Sequence, residues 1–422
     1  MSGVFNSAGE CPPVLGTIHF SLAHSQNHST KCYILLAISG ERTYILSKGR
    51  VHSDTSSLAL RTQPLDMQQI TPKVSVLVPV YNSGDYLLVC IESLEKQNIG
   101  DNIEFICVND GSMDESPARL DAWAARDPRV KVIHQKNGGY GKAMNAALDA
   151  ASGTYIGIVE PDDWVEADMF SNLLRLAEET GADIAKGVYV GESAKRSHAD
   201  TRFAGRSEGE VSKPEDFPSF LVGSPSIWAA IYRRDMLEAH LIRFTESPGA
   251  SFQDLGFFIR TWAAAERIAT TNAPVYHYRE DNPGSSIRRL DDGAWAIVRE
   301  LEAQADVFAQ FAEKSTTMRS MLVRRIFHTL QADYRLRISQ RIVEFLEAYS
   351  TLLRRYFPLH SLDTGLFKKR EWHDLQLIYN QPKQFPRKRK GNFSIMQRIY
   401  SCRREAGHRV LRLCGFAIHL SH

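Results

Sequence analysis

The chain has 422 residues, 43% hydrophobic and 24% charged, with a formal net charge of +2. That is an ordinary soluble globular composition, long enough for two or three domains, and the small net charge argues against nucleic acid as a partner. No apolar run is long enough to span a bilayer, the N-terminus has no basic segment followed by an apolar core, and the six cysteines form no CxxC pair, so reduced thiols in a cytosol are expected.

Residues 1–72 read as an N-terminal extension of unassigned role, with a hairpin expected where Ser39-Gly40 separates two apolar runs. At Lys73 the pattern changes. "KVSVLVPVYN" (73–82) predicts a strand buried on both faces, and residues 83–97 predict a helix with Leu87, Leu88, Ile91 and Leu94 as its stripe. Strands follow at 103–112, 130–139 and 155–160, alternating with helices at 113–127, 140–152 and 165–180, and a further strand at 183–190. This alternation implies βαβ units on a mainly parallel sheet, an α/β fold. Residues 191–290 are richer in Gly, Pro and Ser, as loops built on a sheet would be. From 293 to about 357 the apolar period is helical, which sets off a C-terminal helical region over 291–380 from a domain over 73–290.

Ligands of open α/β sheets bind beyond the carboxyl ends of the strands. The polar residues there are Tyr81 and Asn82, then Asn109 and Asp110, then Asn137, then Glu160, Asp162 and Asp163. One such cluster is ordinary turn chemistry; four on the same rim point to a site. A Gly-rich dinucleotide fingerprint is missing, and "NGGYGK" fails the phosphate-loop spacing, so neither NAD nor a P-loop nucleotide is supported. The acidic cluster suits a hard divalent cation shared with a diphosphate, whereas Asp163 reads as the N-cap of a helix starting near Val165.

"VSVLVPVYN", "ICVNDGSMDES", "NGGYGKAMNAAL" and "YIGIVEPDDW", in this order, resemble the family 2 glycosyltransferases of GT-A fold. The resemblance implies an inverting hexosyl- or N-acetylhexosaminyl-transferase that uses a nucleotide sugar, typically a UDP-sugar, with Mg²⁺ or Mn²⁺. It implies nucleotide-sugar contacts by Pro79, Tyr81, Asn82, Asn109, Asp110, Asn137, Glu160, Pro161 and Asp162. It places the metal on Asp162, with His277 as a further ligand or diphosphate contact. It makes Asp254 of "SFQDLGFFIRTW" the catalytic base, and Trp228 a candidate sugar platform. Glu160 departs from the family's usual Asp, and Met144 stands where the family often has Arg. Those departures keep a rival reading open, a non-catalytic nucleotide- or carbohydrate-binding protein.

Residues 381–422 form a basic tail. Over 382–420 ten Lys or Arg face the single Glu405, and apolar residues recur at helical spacing after the run Arg387–Lys390. An amphipathic helix on an anionic membrane surface through 383–420 is expected. With a glycan or lipid-linked acceptor implied by the resemblance, the expected location is the cytoplasm, peripheral on the inner face of the cell membrane, in the synthesis of a bacterial surface polysaccharide.

Overall fold

The computed structural model describes residues 18–22, 32–38, 42–45, 71–201, 205–216, 225–250, 252–284, 293–313, 315–336, 342–386, 400–405, 408–413 and 416–420. They fall into two compact units, residues 1–70 and 71–422. In the first, β1 (Ile18–Leu22), β2 (Cys32–Ile38) and β3 (Arg42–Ile45) form an antiparallel sheet, with the β2–β3 pairing where a hairpin was expected.

The second unit is built on a ten-stranded sheet. Its first half alternates as the sequence predicts. The elements are β4 (Val74–Val80), α1 (Tyr86–Glu95), β5 (Ile103–Asn109), α2 (Ser116–Ala124), β6 (Val130–His134), α3 (Tyr140–Ala150) and β7 (Tyr155–Ile158). Every residue of β4 and β5 is buried, the signature of a parallel strand covered on both faces. Each buried Val, Leu or Ile there contributes about 1.5–3 kcal/mol, which outweighs the weak local preference of so short a strand.

The acidic segment does not lead straight into a helix. A short strand, β8 (Trp164–Val165), comes first, and α4 (Met169–Thr180) starts later with Asp168 at its N-cap position. Asp163 is therefore no cap; it is fully buried, and its partners are given below. Helix α4 buries Met169, Phe170, Leu173, Leu174 and Ala177 on one face and ends on Gly181 in the left-handed conformation.

Then come β9 (Ile184–Ser193), β10 (Arg196–Ala199), β11 (Val211–Ser212), β12 (Ala230–Arg233), α5 (Arg234–Ala239), α6 (Gln253–Ala264) and β13 (Ile268–Arg279). The main path of the sheet is β6-β5-β4-β7-β12-β9-β13-β11. Strands β4 to β7 are parallel, but β12 lies antiparallel between β7 and β9, so the sheet is mixed. Strand order reverses between β4 and β7, and that switch point is where a crevice opens.

Helices α7 (Gly293–Ala303), α8 (Ala305–Glu313), α9 (Thr316–Leu336), α10 (Ile342–Tyr356) and α11 (Lys369–Asn380) follow. Leu301, Phe308, Leu322, Ile326, Leu346 and Leu353 belong to the same buried core as Phe258 and Trp262 of α6, so these helices are packed onto the sheet domain.

In the tail the backbone forms strands where a helix was expected. These are β14 (Tyr400–Glu405), β15 (His408–Leu413) and β16 (Phe416–Leu420), paired antiparallel. Glu405 pairs with His408 and Leu413 with Phe416. Residues 387–399 and the tail's side chains lie outside the described residues, and with them the expected membrane-facing stripe.

Candidate active site

A cleft of about 1220 Å³ opens at the carboxyl ends of β4 to β7. Pro79 near the end of β4 lines it, with Tyr81 and Asn82 just after that strand, Asp110 after β5, Asn137 after β6, and Glu160, Pro161 and Asp162 after β7. Asp254, in the first turn of α6, faces the same cleft.

Hydrogen bonds fix the loops on the β4–β6 side. Asn82 adopts a left-handed φ of 48°, which Asn tolerates, and its Oδ1 accepts the Met113 N–H at 2.8 Å while its own N–H donates to Ser112 Oγ at 3.0 Å. Asp110 Oδ1 accepts from Gln135 Nε2 and from the Gly138 N–H, both at 2.8 Å, and its Oδ2 accepts the Gly139 N–H at 2.9 Å. Asp110 thereby holds the 137–139 loop in place. Asn109 does not line the cleft. It is buried, accepting the Ser112 N–H at 3.0 Å and joined to His134 Nδ1 at 3.0 Å, so it shapes the turn from behind.

The opposite wall comes very close. A Cβ on Gly141 would lie 2.0 Å from the Thr245 carbonyl oxygen, and one on Gly139 (φ 90°) 2.6 Å from that of Ser247. Glycine is required at both positions for the 245–250 loop to pack on the start of α3.

The β7 corner is acidic. Burial pushes the Glu160 carboxyl up to about 8, a hydrogen bond from Tyr140 opposes that, and the neighbouring Asp162 and Asp254 reinforce it. Asp162 Oδ2 accepts from Asn282 Nδ2 at 2.8 Å, and its carbonyl accepts from Arg279 Nε at 2.9 Å. Asp163 accepts the Tyr276 hydroxyl at 2.8 Å and the Arg279 N–H at 2.7 Å, and burial raises its carboxyl well above the usual range. Asp254 is enclosed at depth yet keeps part of its surface open to the cleft; burial raises its carboxyl, and the Arg325 charge opposes the rise.

His277 stands elsewhere. Alternation along β13 turns Tyr276 and Tyr278 inward, Tyr278 to the cleft, and His277 to the opposite face. There it stacks on Trp164 at 5.1 Å and meets Glu166 at 2.8 Å and Glu192 at 3.3 Å. The expected partnership of His277 with Asp162 is not the arrangement observed. Arg279 lies over the rings of Tyr86 and Trp164, 4.8 Å from each centroid. Trp228 is largely buried, stacked on Tyr276 and Tyr278, and its remaining exposed surface lines the cleft. Among the described residues no group of three or more His, Cys, Asp or Glu is arranged to hold a metal by itself. One or two carboxylates plus substrate phosphates are the usual Mg²⁺ donor set, and the oxygens of Asp162 and Glu160 fit it.

Among the lining residues that went unread in the sequence are Arg325, His328 and Thr329 of α9. Their i, i+3, i+4 spacing puts them on one helix face, but nothing in a helical pattern says that this face lines a cleft whose other walls come from residues 79–284.

With this geometry in hand, the likenesses to known proteins are informative. The model of "Glycosyl transferase family 2" matches residues 75–241. The putative glycosyltransferase EpsH of Bacillus subtilis (strain 168) is 36% identical over 213 residues, 50% of this chain and 61% of EpsH. Glycosyltransferase GlyG of Streptococcus pneumoniae serotype 4 is 33% identical over 239 residues, 53% of this chain and 75% of GlyG. Staphylococcus aureus TarS 1-349, solved in complex with UDP-GlcNAc, superposes with a TM-score of 0.66 over 83% of this chain and 99% of its own, at 19% identity. That likeness establishes a shared fold. The chain spans about six-tenths of the length of EpsH. The matched segment carries all four strand-end clusters, the fold is the GT-A arrangement, and three quarters of GlyG aligns: the chain belongs to glycosyl transferase family 2.

Proposed function

We propose that the protein transfers a sugar from a UDP-sugar to a hydroxyl of a glycan or lipid-linked acceptor, with inversion and in one displacement. The observation that carries this reading is the placement of Asp254 in one cleft with Glu160, Asp162 and the loops after β4 to β6. In this reading Pro79, Tyr81, Asn82, Asp110 and Asn137 hold the nucleoside. A Mg²⁺ or Mn²⁺ ion on Asp162, with Glu160 beside it, would supply charge neutralisation to the diphosphate. Asp254 takes the acceptor hydroxyl proton as the acceptor oxygen bonds to the anomeric carbon. The bond from that carbon to the phosphate oxygen breaks, and UDP leaves with the electron pair. The Arg325 charge beside Asp254 favours the ionised carboxylate such a base needs.

The reading is further supported by the relatives, which carry glycosyltransferase names, and by the TarS structure, which holds UDP-GlcNAc. We place the protein in surface-polysaccharide synthesis, peripheral on the inner membrane face through its basic tail. No helix among the described residues is long and apolar enough to cross a membrane. The test is a panel of UDP-sugars assayed for Mn²⁺-dependent turnover. One sugar should be consumed with release of UDP. Tight metal-dependent binding of UDP without turnover on any acceptor would instead favour the binding-protein reading.

A further inference from the structure

The cleft runs along the sheet in strand order. The polar loops stand beyond β6, β5 and β4, the acidic corner stands beyond β7, and β12, β9 and β13 come next. A nucleotide sugar laid along that line, with its diphosphate at the corner, carries its sugar on toward β9 and β13. Tyr278 of β13 lines the cleft there and is only partly buried. The peptide N–H that joins it to Arg279 donates to Asp163 Oδ1 at 2.7 Å, and Arg279 Nε donates to the Asp162 carbonyl at 2.9 Å, so its backbone is fixed against the corner. Its ring is held as well. It stacks on Trp228 with centroids 5.3 Å apart, and Trp228 stacks on Tyr276 at 4.2 Å. Two neighbouring tyrosines use their hydroxyls in the scaffold. Tyr140 donates to Glu160 Oε1, and Tyr276 donates to Asp163 Oδ2 at 2.8 Å while accepting the Glu160 N–H at 3.0 Å. The Tyr278 hydroxyl has no hydrogen-bond partner among the described residues. A tyrosine hydroxyl drawn into the protein normally finds one. Burial raises its proton affinity, and the nearby Asp163, Asp162, Asp254 and Glu160 add to the rise, so the phenol stays protonated and able to donate.

We infer that Tyr278 is a specificity-determining residue for the transferred sugar, its hydroxyl donating a hydrogen bond to an oxygen of the pyranose that follows the diphosphate. A ring pinned by its backbone and by Trp228 cannot move to suit another sugar. A sugar lacking an oxygen at that point leaves the hydroxyl unpaired, and such a site discriminates against it. The inference rests on the reading of the β4–β7 rim as the UDP site.

The experiment uses the full-length protein and Tyr278→Phe, which keeps the ring and its stacking and removes only the hydroxyl. Calorimetry with Mn²⁺ measures binding of UDP, UDP-glucose, UDP-galactose, UDP-N-acetylglucosamine, UDP-N-acetylgalactosamine and UDP-glucuronate. Tyr278→Phe should bind UDP as the wild type does and should bind the UDP-sugar that the wild type prefers about two- to tenfold more weakly, the range of one neutral hydrogen bond. The thermal midpoint should not move, which separates a lost sugar contact from a disturbed pile. Unchanged affinity for every UDP-sugar would overturn the inference. So would an equal loss for UDP, which would assign the hydroxyl to the diphosphate, and so would a wild type that binds UDP and none of the five UDP-sugars. A wild type that fails to bind UDP itself would remove the UDP reading and this contact together, an outcome distinct from all the others.

Discussion

The phenol of Tyr140 donates a 2.7 Å hydrogen bond to Glu160 Oε1 and so joins the first residue of α3 to the acidic corner beyond β7. Glu160 is in turn close enough to Asp162 and Asp254 for both to raise its proton affinity. The start of α3, the acidic corner beyond β7 and Asp254 are thus linked through one carboxylate.

Asp254→Asn should abolish transfer while leaving Mn²⁺-dependent UDP binding near wild type, because the base acts on the acceptor. The loss should be about 10²–10⁴-fold in kcat, the usual range for a general base. Full turnover in this variant, measured by UDP release, would move the role to another carboxylate, with Glu246 the first to examine.

Asp162→Asn should remove the Mn²⁺ dependence of UDP binding, since an amide keeps the shape of the carboxylate and loses the charge opposing the cation. Calorimetry with and without Mn²⁺ distinguishes the outcomes: wild-type enhancement by Mn²⁺ in the variant would contradict the metal role. Glu160→Gln should have the smaller effect.

Glu300 packs against Gly256 of α6, the helix that carries Asp254. It is 2% exposed, accepts from Thr245 Oγ1 at 3.0 Å and Gln304 Nε2 at 2.8 Å, and burial pushes its carboxyl up to about 7. The neighbouring Asp254 adds to the rise, and Arg260 opposes it. The folded state therefore holds this proton more tightly than the unfolded chain does. Its stabilising contribution is complete below the ordinary glutamate range and is lost as pH rises through about 7. The effect is at most on the order of 3–4 kcal/mol, taking one unit as about 1.4 kcal/mol. Urea unfolding between pH 4.5 and 8 should show wild-type stability falling across this window, and the fall should flatten in Glu300→Gln. Identical pH profiles would mean that Glu300 does not titrate there.

Gly256→Ala tests the same packing from the other side. A Cβ on Gly256 would stand 1.8 Å from Glu300 Oε1 and 2.6 Å from Gln304 Nε2. Overpacking at a buried site costs about 1–3 kcal/mol, and a thermal melt should report it. Combining Gly256→Ala with Glu300→Ala should cost less than the sum of the two single changes, because the second substitution vacates the space the first needs.

The body of the protein keeps hold of the chain as far as Phe385, which is 3% exposed, so a truncation intended to remove only the tail belongs after Pro386. That variant should fold and act on a soluble acceptor analogue, and it should bind anionic vesicles less well. Each Lys or Arg near such a surface contributes about 1 kcal/mol. Vesicle sedimentation at low and raised salt reads the effect; affinity unchanged by both truncation and salt would leave the tail without an anchoring role.

Much of this was legible in the residues. The run Val74–Val80 and the polar residues after each parallel strand announced both the sheet and its rim, because burial on two faces and turn chemistry leave local marks. Asp163 misled because two aspartates ahead of an apolar stretch look like a helix start; its burial depends on Tyr276 and Arg279, more than a hundred residues away. His277 could not be assigned a face until the register of β13 with β8 was known. Strand β12 is four residues long, inside a Gly- and Ser-rich stretch, and its antiparallel insertion is set by neighbours remote in sequence. The α9 face of Arg325, His328 and Thr329 is the same kind of case, helical by period and brought to the cleft only by packing.

The insertion of β12 also constrains how the chain can be made. Strands β7 and β9 do not pair with each other; each waits for Ala230–Arg233 to fill the gap between them. During synthesis from the N-terminus, residues 155–193 therefore emerge with two apolar strands, each lacking a hydrogen-bonded neighbour on its inner edge. Such edges are templates for pairing with other chains. A nascent or proteolysed fragment that stops short of Ala230 is thus an aggregation hazard, and the sheet becomes self-sufficient only once the segment that walls the far side of the cleft has been delivered.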